Sequence, residues 1–210
     1  MIAVLSFGAA TPAFAHPHVF AEARLDVLVS GNRQVEALRH VWRFDDLFSS
    51  TVLVEFDQNR DLTLDPAELE EVANVVHESL ADFNYFQIIT ADGKEVEMQP
   101  PERLMADFTD NQLLIMFETQ PAEPLILAGE VRFGVYDPTF YTAIDFIHDE
   151  YLAVENLPAD CARDVIRPDP EEAIAQNQQT LTEAFFNDPA GNDLSSIFAT
   201  QLEITCHANG

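Results

Sequence analysis

The sequence predicts an α+β fold: antiparallel β-sheet hairpins with an inserted EF-hand-like helix-loop-helix and C-terminal helices. Three patterns in the chain carry this expectation. Apolar alternation broken by turn residues runs through the first and middle parts of the chain, helical spacing brackets the acidic segment from Asp57 to Glu68, and strands do not alternate with helices as a βαβ sheet requires. The chain has 210 residues, 47% of them hydrophobic, and lacks internal repeats and low-complexity linkers. Residues 16–210 therefore read as a single domain able to bury one core.

Each element follows from a local signal. His18 to Val29 alternates loosely, Ser30-Gly31-Asn32-Arg33 supplies a turn, and Val35 to Phe44 returns, which makes a hairpin. Asp45 to Phe56 starts acidic and spaces Leu47, Phe48, Val52 and Phe56 as a helix does. Asp65 is an N-cap and Pro66 a first helical residue for a second helix through Leu69, Val72, Val76, Leu80 and Phe83.

Further hairpins are expected in the middle of the chain. Phe86 to Thr90 and Glu95 to Met98 flank Ala91-Asp92-Gly93-Lys94, and Leu104 to Phe108 and Leu113 to Glu118 flank Thr109-Asp110-Asn111. Val131 to Tyr136 and Tyr141 to Ile147 continue the pattern around Asp137-Pro138. The remaining expectations are a strand at Cys161 to Arg167, a helix at Pro170 to Asn187, a short helix at Leu194 to Ala199, and a closing strand at Gln201 to Cys206.

Composition bounds the function. The first fifteen residues, MIAVLSFGAATPAFA, join an apolar stretch to Ala13-Phe14-Ala15, the small-x-small pattern of a signal-peptidase site. Residues 1–15 are thus predicted to be a signal peptide, cleaved after Ala15 to leave His16 as the new terminus. No apolar run reaches membrane-spanning length, so an integral membrane protein is not expected. A formal charge of −27, with 37 acidic against 10 basic residues, repels phosphate backbones and disfavours nucleic acid as a partner. Spread along the chain, that acidity reads chiefly as a solvated surface. Cys161 and Cys206 lack CxxC spacing, and two distant thiols in an exported chain form one disulfide, the alternative being two buried thiols.

Asp57 to Glu68 matches the oxygen spacing of an EF-hand loop, in which positions 1, 3, 5, 7, 9 and 12 ligate a calcium-sized cation. Those positions hold Asp57, Asn59, Asp61, the Thr63 carbonyl, Asp65 and Glu68, and Leu64 stands at the apolar position 8. Calcium is the expected ion. Position 6, where glycine normally permits a left-handed backbone, is Leu62, a departure that should cost about 1 kcal/mol or more. The alternative is a capped acidic turn without metal.

A second grouping is softer. After cleavage, the α-amine with His16 and His18 is a set that zinc, nickel, cobalt or copper binds, and the hairpin brings Asp45 or Asp46 near His18. His40 on the returning strand is a tentative third ligand, although a one-residue change of register turns it to the other face. The alternative is a solvated terminus without metal. The chain contains no GxSxG, HExxH, Walker-type or dinucleotide glycine motif, so an enzyme is not expected.

The segments HPHVF, RHVWRFDD, DQNRDLTLDPAEL, FNYFQIITADGK, VYDPTFYTAIDF, EAFF and TC together resemble the periplasmic DUF1007 family, over nearly the whole mature chain. Leu62 departs from the glycine expected in its loop, and Phe20 stands where an indole is common. The resemblance implies a periplasmic component of an ABC-type transport system associated with nickel, cobalt or zinc, with an inner-membrane metal transporter as partner. It also places His16, His18 and His40 inside matched motifs. The resulting expectation is a metal-binding accessory protein with a structural calcium loop. The alternative is a calcium-stabilised envelope interaction module without a transition metal.

Overall fold

Alternation, broken once in the second strand, builds the first two strands. The structure is a computed structural model in which residues 17–177 and 195–207 are described. In chain order the elements are β1 (Val19–Val29), β2 (Gln34–Phe44), α1 (Asp46–Phe56), α2 (Pro66–Ala81), β3 (Gln87–Ala91), β4 (Lys94–Glu95), β5 (Met98–Gln99), β6 (Met105–Thr109), β7 (Gln112–Pro121), β8 (Leu125–Ile126), β9 (Gly129–Val135), β10 (Thr142–Asp145), β11 (Leu152–Glu155), β12 (Cys161–Ile166), α3 (Pro170–Gln176) and β13 (Gln201–Cys206). Short 3-10 turns lie at Asn84–Phe86, Asp149–Tyr151 and Ser195–Phe198.

β1 buries Val19, Ala21, Ala23, Leu25, Val27 and Val29 on one face. β2 pairs with it antiparallel, and a register shift at Leu28/Val29 lets Ala37 and Leu38 both turn inward. The first sheet runs β10-β1-β2-β7-β5, with β11, β8 and β6 attached along its length, and the second runs β12-β13-β9-β3-β4. One continuous core takes Val27, Leu38, Leu113 and Ile115 from the first sheet and Val131, Phe133, Leu202 and Ile204 from the second. A buried hydrogen bond from Thr119 Oγ1 to Gln87 Oε1, 2.6 Å long, links the sheets.

The fold is thus α+β with mostly antiparallel pairing, and two of the expected hairpins pair differently. The residues after Asp137-Pro138 do not return along β9; β10 instead pairs with β1 in parallel, as does β11. The cause is local: the buried Asp137 carboxylate accepts hydrogen bonds from the Thr139 amide and hydroxyl and from the Thr142 amide, which turns the chain across to the other sheet. The expected strand at Glu95 to Met98 is also divided. Lys94 and Glu95 close the turn onto β3, whereas Met98, 6% exposed, joins β7 in the other sheet.

Cys161 and Cys206 face each other across β12 and β13 and form a disulfide, 45 residues apart in sequence. The predicted signal peptide, residues 178–187 of the predicted C-terminal helix, and Leu194 lie outside the described residues. No described helix is long and apolar enough to cross a membrane.

Candidate metal centre

Two capped helices frame the acidic segment. Asp45 Oδ1 accepts the Leu47 and Phe48 amides and so starts α1, while Asp45 Oδ2 accepts the Phe20 amide at 2.8 Å and fastens the same corner to β1. Partial burial pushes the Asp45 carboxyl up, but the amides of Phe48, Phe20 and Leu47 outweigh it and hold the group below its ordinary value. Ser49, wholly buried, donates to the Phe44 carbonyl and accepts the Leu113 amide, which ties α1 to β7. At the other end, Asp65 and Glu68 form a reciprocal capping box with Pro66 in the first helical turn of α2.

Between the helices, the oxygen-bearing side chains fold inward on the loop's own amides. Asp57 accepts from the amides of Asp61 (3.1 Å) and Leu62 (2.8 Å), Asn59 from Asp61 (2.8 Å), and Asp61 from the Thr63 amide (2.9 Å) and hydroxyl (2.6 Å). The Thr63 hydroxyl and amide hold the Asp61 carboxyl below its ordinary value. Glu68, 5% exposed, reaches back to accept the amides of Gln58 (2.8 Å) and Asp65 (2.9 Å).

Leu62 adopts φ +64 with its side chain 74% exposed, and Arg60 is left-handed as well, at φ +62. No packing offsets the strain at Leu62; the backbone turn itself requires that conformation. Leu64 packs against the core, as position 8 predicts. Among the described residues, no three His, Cys, Asp or Glu side chains converge closely enough to hold a metal. Each ionised carboxylate nevertheless offers about four lone-pair sites, and the loop amides occupy only part of them.

Ligand counting misses Gln58. Its amide draws Glu68 toward the start of the loop, and its side-chain nitrogen donates to Glu71 at 2.6 Å. Position 2 is not one of the counted oxygen positions, so only the folded geometry reveals that Gln58 orients Glu68.

His18 and His40, the two of these histidines among the described residues, are not brought together. His16 lies outside the described residues. His18 is exposed, its amide donates to the Tyr141 carbonyl at 2.9 Å, and its ring lies 5.1 Å from that of Tyr141. His40 pairs with Leu25 of β1, seven residues beyond His18, a strand distance of about 23 Å. The register turns it inward to 1% exposure, stacked on Phe117 at 4.4 Å and edge-on to Trp42. His40 as a companion of His18 is therefore corrected: it is a core residue. Burial pushes its pKa down to about 3, with the nearby Gln87 side chain opposing this only in part. Among the described residues, neither ring nitrogen has a hydrogen-bond partner within bonding geometry, nor does Trp42 Nε1.

A family model described as Protein of unknown function (DUF1007) matches residues 1–206. The chain belongs to this family. A relative from Haemophilus influenzae, bearing the name Uncharacterized protein, is 24% identical over 205 residues, which covers 96% of this chain and 94% of its own. This DUF1007 chain is thus similar to that relative over most of the length of both.

Proposed function

We propose that this DUF1007 protein is an exported, non-enzymatic interaction module of the cell envelope, clamped by a calcium-class cation in an EF-hand-type loop from Asp57 to Glu68. The observation that carries the reading is Leu62. A leucine held at φ +64, its amide bonded to Asp57, reproduces the turn that calcium loops normally give to glycine. Asp57, Asn59, Asp61, the Thr63 carbonyl and Glu68 are the proposed ligands, with Asp65 as the ninth position and helix cap. A cation would draw the carboxylates together, away from some of their present amide contacts, and join α1 to α2 at their shared end. In an extracytoplasmic compartment this role is structural.

The test is calorimetry on chelator-treated protein with calcium and, separately, magnesium. Saturable heat and a raised melting temperature are expected. Absence of both would refute the loop.

A second reading retains a transition metal. His18 is exposed beside the corner that Asp45 fastens, and with His16 and a new α-amine it would offer nickel, cobalt or zinc a nitrogen-rich site for hand-over to an inner-membrane transporter. It now rests on His16 and His18, without His40. Elemental analysis of protein from its native envelope separates the two: stoichiometric nickel, cobalt or zinc favours the second, calcium alone the first.

A further inference from the structure

A cavity of about 450 Å³ opens between α1, α2 and the sheet beneath them. Phe48 and Phe56 of α1, Val75 of α2, Phe83 just beyond it, and Tyr141 line its open part, and Trp42 lines its base. The helices bury Val52, Val72 and Leu80, yet Val75, Phe83 and Tyr141 remain 45%, 38% and 51% exposed. A concave apolar surface left open in this way marks a recognition site.

Charge specifies what it would recognise. From Asp45 to Asp82 the sequence has 11 acidic residues against one basic residue, Arg60. Glu55 and Asp137 line the cavity, and among the described residues no lysine or arginine does. The apolar trough is therefore set in a strongly negative field that would repel an acidic partner and steer a basic one. Its walls are two helices and aromatic rings, which offer side-chain pockets and suit a helix with anchors at i, i+3/i+4 and i+7.

We propose that this groove receives an amphipathic helix from a partner protein, with its apolar stripe seated between α1 and α2 and lysine or arginine along its flanks. The proposal rests on the interaction-module reading and names the chemistry of the partner; it does not require a cation in the loop.

Trp42 is the single tryptophan of the chain, so its emission reports occupancy of the groove. The probe is a leucine-lysine amphipathic helical peptide titrated into the disulfide-intact protein, alongside a scrambled isomer of equal charge. A saturable change in Trp42 emission is expected, with the scrambled peptide at least about tenfold weaker, a difference of about 1.4 kcal/mol.

Val75→Glu provides the decisive contrast because it adds a negative charge at an exposed wall. Attraction by net charge alone would tighten binding; seating in the groove predicts a loss of about tenfold or more. Phe83→Ser, also at a partly exposed position, should weaken binding without adding charge. Equal binding of the scrambled peptide, or unchanged or tighter binding by Val75→Glu, overturns the proposal, as does a fatty amine that shifts Trp42 emission where the peptide does not. Calcium added to the same samples reads the loop separately: a raised melting temperature without peptide binding overturns the groove and leaves the cation clamp standing.

Discussion

Acidification should act on the core through His40. Its ring is 1% exposed and packed on Phe117, which pushes its pKa from 6.5 down to about 3. Because the folded value is the lower one, the unfolded chain takes up the proton first. The stability tied to the neutral ring is complete above a pH of 6.5 and is lost as pH falls from there toward 3. At pH near 5, roughly 1.5 below the unfolded value, the loss is about 2 kcal/mol, rising to about 5 kcal/mol below pH 3.

The assay is urea unfolding of the wild type and His40→Leu at pH near 7.5 and near 5. Both proteins carry the same carboxylates, whose titration and mutual repulsion cancel in the difference. His40→Leu also removes two unpartnered buried nitrogens, so at neutral pH it should be near neutral or stabilising despite losing the ring stack. The wild type should then lose about 2 kcal/mol more than the variant between the two conditions. Parallel pH dependences would refute the assignment of a buried neutral imidazole.

Three other outcomes follow. Leu62→Gly should raise stability by about 1 kcal/mol by relieving the left-handed strain, and should tighten calcium binding; an unchanged or lower melting temperature in the calcium-free protein would count against the strain. Asp45→Ala removes the α1 cap together with the acceptor for the Phe20 amide and should cost about 1 to 2 kcal/mol in chemical denaturation at neutral pH. Since the Asp45 carboxyl lies below its ordinary value when folded, that cost should shrink as acid protonates it. Reducing the Cys161–Cys206 bond, which spans a 45-residue separation, should destabilise the chain by about 2 to 4 kcal/mol, read as a lower melting temperature with reductant than without.

Much of the fold was legible because its signals are local. Alternation on either side of Ser30-Gly31-Asn32-Arg33 determines the β1–β2 hairpin, and Asp65-Pro66 followed by Glu68 determines where α2 begins. Partner choice between strands was not legible. Asp137-Pro138 does make a turn, but only the satisfied carboxylate of Asp137 and the open edge of β1 explain why β10 crosses to the other sheet in parallel. His40 illustrates the same limit on a finer scale, since one residue of register separates a surface ligand from a core ring.

The loop divides similarly. Its oxygen positions can be counted from the sequence, whereas the left-handed turn at Leu62 and the pull of the Gln58 amide on Glu68 belong to the folded backbone. The groove is not legible in the sequence, because each of its apolar residues reads, alone, as ordinary core.

Whether the Asp57 to Glu68 loop holds a hard cation is decided by isothermal titration of calcium into chelator-treated protein. Saturable heat at one site per chain, abolished by Glu68→Gln, and a melting temperature that rises with calcium are expected. No heat and an unchanged melting temperature would contradict a bound cation.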